Sequence, residues 1–337
     1  MTTPSISTSE LYSHIDTLIK TDMPLFIHGS PGIGKSYIVT DVAKKHGLDL
    51  VDVRLSQLDP VDLRGVPSIV ENQTVWMPPV FFPKDPESEG ILFLDELNSA
   101  PPSVQAAIYQ LVLNRQLGEY RLPERWRIIC AGNRVSDRGV VFRLPTPLAN
   151  RMVHLHVEAR FEDFKGFALK EGLHHFVIGF LSFRPDLLST ELVVEDDANP
   201  AFATPRSYHM LSSILKSADT INAILPVIYG TIGYSAGIEF VSYVKVYEDL
   251  PNVALVYEGE YPEIDTKKPA LLYALVSALV EYYDGSEKHQ EHLFIFSETL
   301  PTEFGVMLVK DVIVKDESLA THAAFDAWLE KYGEYIL

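Results

Sequence analysis

Short apolar runs alternate with helical patterns through the first half of the chain. The apolar or alternating runs predict strands at residues 25–27, 48–54, 91–94, 127–131 and 153–157. Apolar residues spaced three or four apart predict helices at 36–45 and 103–114. Strands and helices that alternate in this way indicate βαβ units, and hence an α/β fold with a doubly wound parallel sheet.

Two segments interrupt this alternation. Residues 64–83 contain several prolines and a strand-like piece at 73–76, which predicts an inserted hairpin outside the main sheet. Residues 115–124 predict a second short hairpin with Gly118 in its turn.

Beyond residue 158 the pattern becomes almost entirely helical. Helices are predicted at 161–171, 174–187, 205–217, 220–229, 235–247, 270–283, 301–314 and 319–335. Pro251 and Pro262 flank a segment that is predicted to be a linker or a short extended stretch. We therefore divide the chain into an α/β core at 1–158, a helical part at 159–250 and a mostly helical C-terminal extension at 251–337.

Composition narrows the class of protein. The chain has 337 residues and a formal net charge of −18, and so acidic a surface makes nucleic acid an unlikely partner without excluding a local basic channel. Cys130 is the single cysteine, so no intrachain disulfide can form. No apolar run approaches the roughly 18 to 20 residues that span a bilayer, and residues 1–10 lack the features of a signal peptide. We expect a soluble, cytoplasmic protein with no membrane contact.

The most informative motif lies between the first predicted strand and the first predicted helix. It fits the P-loop pattern of a glycine, four free positions and Gly-Lys-Ser, and it consists of Gly29, Ser30, Pro31, Gly32, Ile33, Gly34, Lys35 and Ser36. At such a turn, backbone N–H groups and the helix dipole converge on phosphate oxygens. Lys35 would reach the terminal phosphates, and Ser36 would ligate Mg²⁺. The alternative is a glycine-rich turn that matches by chance.

Two further strands end in polar residues that suit phosphate chemistry. Asp95 and Glu96 follow the apolar run 91–94, which would place Asp95 beside the metal and let Glu96 polarise an attacking water. Asn133 follows the run 127–131 and could hydrogen-bond the water and the γ-phosphate. The alternatives are two solvated acids at the end of a core strand and an asparagine that caps the next turn.

In this order and at these spacings, the three motifs resemble those of AAA+ ATPases. Ala-Gly-Asn-Arg at 131–134, Asp-Arg-Gly at 137–139 and Leu-Ala-Asn-Arg at 148–151 are similar to the MoxR family, of phage or bacterial type. The insert at 64–83 agrees, because that branch carries an insertion in its second helix. The resemblance extends over residues 15–250 and is weaker for 251–337.

The resemblance assigns roles residue by residue. It makes the P-loop the Walker A motif, Asp95 and Glu96 the Walker B pair, and Asn133 sensor 1. Arg151 matches an arginine that reaches the ATP of the neighbouring subunit, with Arg143 and Arg138 as rivals. The alternative for Arg151 is a structural ion pair with a nearby carboxylate.

Arg206 matches the sensor 2 arginine, which would lean from an α-helical lid at 159–250 onto the γ-phosphate. Thr204 would cap the helix and Pro205 would occupy its first turn. An arginine in the first turn opposes the helix dipole, which favours a functional reason for it.

The resemblance implies ATP and Mg²⁺ as cofactors, and assembly into a ring that is expected to be hexameric. Its output would be remodelling, activation or metal-cofactor insertion of a client protein, with a von Willebrand factor A domain protein as the leading candidate. Three alternatives stay open: a nucleic-acid-directed motor, a nucleotide-gated scaffold with negligible turnover, and a GTPase, since a P-loop reads phosphates and not the base. His154 and His156 share one face of a predicted strand, but no cysteine or carboxylate cluster completes a metal site with them.

Overall fold

The structure, a computed structural model, describes residues 4–134, 142–190 and 200–335. The chain divides into two compact units, Met1–Ala159 and Arg160–Leu337. The first is α/β and the second is helical. Within the described ranges, no helix combines the length and the apolar character that a membrane crossing requires.

A six-stranded parallel sheet forms the centre of the first unit, with the spatial order β1-β10-β2-β9-β6-β3. The strands of this unit are β1 (Ser5–Ile6), β2 (Leu25–His28), β3 (Asp49–Arg54), β4 (Val66–Val70), β5 (Gln73–Met77), β6 (Gly90–Asp95), β7 (Gln116–Leu117), β8 (Tyr120–Arg121), β9 (Trp126–Gly132) and β10 (Val153–Val157). The strands that lead into the P-loop, Asp95 and Asn133 are neighbours, because β9 lies between β2 and β6.

Helices cover both faces of this sheet. They are α1 (Thr8–Leu18), α2 (Lys35–Lys45), α3 (Pro60–Arg64), α4 (Pro102–Asn114) and α5 (Thr146–Ala149). Alternate residues of β6 enter different cores: Ile91 and Phe93 pack in the cluster with α1 and α2, while Leu92 and Leu94 pack in the cluster with α4. Burial on both sides explains the unbroken apolar run. The predicted doubly wound parallel sheet is confirmed.

Both predicted hairpins are present. Strands β4 and β5 pair antiparallel within the insert, and β7 and β8 pair antiparallel around Gly118. Gly118 has a φ of 58°, a conformation that glycine adopts without steric cost. Sequence reasoning missed β1, α1, α3 and α5, which are short or begin in a polar stretch.

The second unit is built of helices among its described residues. They are α6 (Phe161–Lys170), α7 (His175–Phe183), α8 (Pro205–Ser217), α9 (Leu225–Ile232), α10 (Tyr234–Val244), α11 (Ala254–Glu258), α12 (Pro269–Tyr282), α13 (Glu287–Ser297), α14 (Thr302–Lys315) and α15 (Ala323–Tyr332). Helix α7 packs against α12, and α12 packs against α14. The predicted helix at 174–187 ends earlier, at Phe183, because Pro185 disfavours helical backbone in the residue before it.

The prediction of a linker or extended stretch between Pro251 and Pro262 is wrong. Helix α11 lies there, and it buries Val256 and Tyr257. Gly259 follows it with a φ of 93°, so the helix ends in a left-handed residue that suits glycine. The flanking prolines mark its limits rather than an absence of structure. Helix α13 was also missed, because its first turns are polar.

Candidate nucleotide site

The P-loop joins β2 to α2 at the edge of the sheet that is formed by the carboxyl ends of its parallel strands. Gly32 and Gly34 have φ values of 78° and 100°, which residues with a Cβ adopt only with strain. Gly34 is the N-cap of α2, and no side chain caps the first turn of the helix. The positive end of the helix dipole therefore faces the loop, where it would favour a bound anion.

Lys35 is buried inside the loop that it follows. Its Nζ donates to the carbonyl oxygens of Gly29 at 2.6 Å and Ser30 at 3.0 Å. These bonds curl the loop around the ammonium group and place a positive charge at its centre. Such a charge is suited to the terminal phosphates of a nucleotide.

Ser36 and Asp95 meet across the sheet edge. The Ser36 hydroxyl donates to Oδ2 of Asp95 over 3.2 Å, although the two residues are 59 positions apart in the chain. Asp52 on β3 adds a second carboxylate, and its pKa is raised by burial and by the negative charge of Asp95. A cation at this edge would be favoured by both acids.

Glu96 is held in an unusual backbone conformation. Its φ is 59° and its N–H donates to Oδ1 of Asp95 at 2.8 Å. Ser56, which follows β3, donates its hydroxyl hydrogen to Oε2 of Glu96. Left-handed backbone at a non-glycine residue is sparsely populated and tends to occur at functional sites. Sequence reasoning missed Ser56, because its link to Glu96 depends on the pairing of β3 with β6.

Asn133 follows the end of β9 at the same edge, and its backbone is fixed by the buried Asn98. The Asn98 side chain donates to the Asn133 carbonyl at 2.7 Å and accepts from the Asn133 N–H at 3.1 Å. A Cβ on Gly132 would lie 2.1 Å from Oδ1 of Asn98, so glycine is required for this approach. Asn98 was missed as well, although its position two residues after the Walker B pair is a usable signal.

The predicted arginines that the structure describes are exposed. Arg151 is exposed in the turn after α5, and Arg143 is exposed in the segment before α5. The rival Arg138 lies outside the described residues. Arg206 is exposed in the first turn of α8, in the second unit, where Thr204 forms the predicted cap: its Oγ1 accepts from the Ser207 N–H at 3.0 Å.

Comparison with known proteins agrees with this geometry. Residues 24–154, less than half of the chain, match the model of the ATPase family associated with various cellular activities (AAA). The match lies within the first unit, whose parallel sheet, P-loop and flanking helices are those of the AAA+ fold.

Curated relatives of this chain are much longer proteins. Midasin of Giardia intestinalis is 30% identical over 148 residues, which is 42% of this chain and 3% of that protein. Midasin of Dictyostelium discoideum is 28% identical over 148 residues, or 40% of this chain and 2% of that protein. The chain thus spans only 2–3% of the length of these relatives.

Solved structures resemble this chain with low sequence identity and low TM-scores. A RuvB mutant of Thermotoga maritima is 15% identical with a TM-score of 0.39, covering 81% of this chain and 79% of that one. NtrX from Brucella abortus in complex with ATP is 16% identical with a TM-score of 0.37, covering 99% of this chain and 69% of that one.

Proposed function

We propose that this protein is a Mg²⁺-dependent ATPase that works as a ring and uses hydrolysis to remodel or activate a partner protein, in the manner of MoxR-type AAA+ proteins. The observation that carries the proposal is the contact of the P-loop hydroxyl of Ser36 with the carboxylate of Asp95 at 3.2 Å. The AAA family match over residues 24–154 supports it.

The donor set at this edge fits Mg²⁺. The Ser36 hydroxyl and the Asp95 carboxylate are hard oxygen donors a hydrogen bond apart, and these are the ligand types that this cation prefers. Ser36 and Asp95 would hold the ion, which when bound neutralises charge on the β- and γ-phosphate oxygens. Lys35 would exchange its bonds with the Gly29 and Ser30 carbonyls for bonds with the same phosphates.

Glu96 would activate the attacking water. Ser56 holds one carboxylate oxygen of Glu96, and the left-handed backbone of Glu96 follows directly after the end of β6. Asn133 would orient the water and the γ-phosphate from the end of the neighbouring strand β9. Asn98 holds the backbone of Asn133 through two hydrogen bonds, which supports this role.

Two arginines would complete the site from elsewhere. Arg151 would neutralise charge that develops on the phosphoryl group bound by a neighbouring copy, an effect of about 10³ to 10⁵ in rate in other phosphoryl-transfer systems. Arg143 and Arg138 are the alternatives for this role. Arg206 would contact the γ-phosphate from the helical lid and transmit hydrolysis to it as a domain movement.

The client is proposed to be a protein, with a von Willebrand factor A domain protein as the leading candidate. This step rests on the MoxR resemblance. The inserted hairpin β4–β5 between α3 and β6 supports placement in the branch with an insert in its second helix. The net charge of −18 disfavours nucleic acid as the object of the motor.

Substitution Glu96→Gln tests the enzyme proposal. The amide keeps the size of the side chain but cannot accept a proton, so we expect retained ATP binding and a loss of turnover of about 10²-fold or more. Exposed Glu87 lies in the same unit, and Glu87→Gln is the matched control, with unchanged turnover expected. Equally slow hydrolysis by wild type and Glu96→Gln would instead identify a nucleotide-gated scaffold.

A further inference from the structure

Three histidines stack beside the P-loop and have no role in the site described above. His28 is the last residue of β2 and immediately precedes Gly29, while His154 and His156 lie on the adjacent strand β10. The centroid of the His28 imidazole lies 5.1 Å from that of His154 and 4.4 Å from that of His156. This cluster joins the strand that leads into the P-loop to the strand that follows Arg151.

His154 makes two directed hydrogen bonds. Its Nε2 lies 2.7 Å from the carbonyl oxygen of Ala149, and its Nδ1 lies 2.8 Å from Nε2 of His28. A carbonyl can only accept, so His154 carries a hydrogen on Nε2. In the neutral imidazole Nδ1 is then the acceptor, and His28 donates to it.

His28 is neutral across the physiological range. Burial, followed by the nearby charges of His156 and His154, lowers its pKa to about 3. A chain of two hydrogen bonds thus connects the residue before the P-loop to the end of α5.

The end of α5 is the base of the turn that carries Arg151. Ala149 is the last residue of α5, and the Arg151 N–H donates to the Leu148 carbonyl at 3.1 Å. The Ala149 carbonyl also accepts from the Met152 N–H, but over a longer 3.4 Å, so His154 makes its closer bond. Arg151 is exposed and follows a helix of only four residues, so the direction of its guanidinium depends on such support.

We propose that His154 is a positioning residue, which aligns Arg151 with the nucleotide bound to a neighbouring copy through the Ala149 carbonyl. This inference rests on the proposed function, in which Arg151 acts in trans. A misplacement of about 1 Å can cost on the order of 10²-fold in rate. We therefore expect His154→Leu to lower kcat by about 10- to 100-fold, with KM for ATP within about twofold of wild type.

Mixed assemblies of full-length variants test this directly. Lys35→Ala subunits cannot use their own P-loop but keep Arg151, so they can serve a neighbour. If His154 acts through Arg151, mixing His154→Leu with Lys35→Ala subunits raises hydrolysis above that of either variant alone. Arg151→Ala mixed with Lys35→Ala is the reference and should recover in the same way.

The outcomes distinguish failure of the role of His154 from failure of the proposed function. Recovery with Arg151→Ala but not with His154→Leu means that His154 supports its own P-loop in cis, which overturns the inference alone. Recovery in neither mixture removes Arg151 from its role in trans, and the inference is rejected with it. Absence of hydrolysis in the wild type rejects the proposed function itself.

A conservative pair keeps the test decisive if His154→Leu does not fold. His154→Gln retains an N–H that can reach the Ala149 carbonyl, whereas His154→Asn retains mainly the acceptor toward His28. We expect His154→Gln to keep most of the wild-type kcat and His154→Asn to lose it. Equal losses in the two variants would contradict a role through Ala149.

Discussion

Polar side chains make different kinds of contact in the two units. In the first unit, Lys35 and Asn98 bond to backbone groups of loops at one edge of the sheet. In the second unit, Lys315 donates to the carbonyls of Val280 at 2.6 Å and Tyr283 at 3.1 Å, at the C-terminal end of α12. Lys165 on α6 pairs with Asp311 on α14 at 2.7 Å.

The difference lies in whether a ligand can replace the bonds. In the proposed nucleotide complex, Lys35 would exchange its bonds with the loop carbonyls for bonds with phosphate oxygens. Lys315 donates to carbonyls at the end of α12 that are only partly buried, and its loss would leave them without this donor. Substitutions should therefore impair activity in the first unit and stability in the second.

The largest effect on stability is expected from the Lys165–Asp311 pair. Both side chains are nearly buried, and Asp311→Ala would leave the Lys165 ammonium without its partner. We expect the free energy of unfolding to fall by about 3 to 5 kcal/mol, since an uncompensated buried charge is strongly destabilising. Chemical denaturation measures this change, and nucleotide binding by the folded variant should be unaltered.

An exposed ion pair of the same unit provides the control. Arg184 and Glu239 meet at 2.6 Å, but both reach solvent, so Glu239→Gln should cost less than about 1 kcal/mol. The double variant Lys165→Met with Asp311→Leu removes both buried charges and should regain most of the lost stability. A double variant as unstable as Asp311→Ala would mean that packing, not charge, accounts for the loss.

Arg206 is the expected exception to this difference between the units. It is exposed in the second unit and yet is proposed to contact the γ-phosphate. We expect Arg206→Ala to reduce turnover by about 10- to 100-fold, because one charge-assisted contact is lost, while the free energy of unfolding changes by less than about 0.5 kcal/mol. Steady-state hydrolysis and denaturation of the same preparation measure both quantities. Lys216→Ala, on the same helix, is the control for a general loss of positive charge.

Much of the first unit could be predicted from sequence, because its signals are local. A run such as that of β6 is apolar at every position since both faces of the sheet are covered, and its carboxylates come directly afterwards. The P-loop likewise has its residues in one segment. To predict such features, one needs only the rule that the carboxyl ends of parallel strands meet at a common edge of the sheet.

The remaining site residues could not be predicted, because they depend on contacts between distant segments. Ser56 contacts Glu96 only because β3 pairs with β6, and His28 meets His154 only because β2 pairs with β10. Helix α11 was missed for another reason: it has five residues, too few for a periodic pattern. The roles of Arg151 and Arg206 stay predictions, since each would act on a phosphate held elsewhere.

The smallest effect concerns a histidine that caps a helix in the second unit. His174 precedes α7, and its Nδ1 accepts from the Phe176 N–H at 3.2 Å. Burial, more than the charge of neighbouring His175, lowers the pKa of His174 to about 4. The unfolded chain therefore binds this proton first as the pH falls below about 6.5.

The free energy of unfolding should decline as the pH falls from about 6.5 to 4, and His174 should have no such effect above that window. Because the imidazole is partly exposed, we expect its share of the loss to be about 1 to 2 kcal/mol. His174→Asn keeps an oxygen that can cap α7 but cannot titrate, so it should match wild type at pH 7.5 and unfold less readily at pH 4.5. His174→Ala, which loses the cap, should cost about 1 kcal/mol at either pH. An equal acid-induced loss in wild type and His174→Asn would assign the acid sensitivity to other groups, such as His175 or His28 of the first unit.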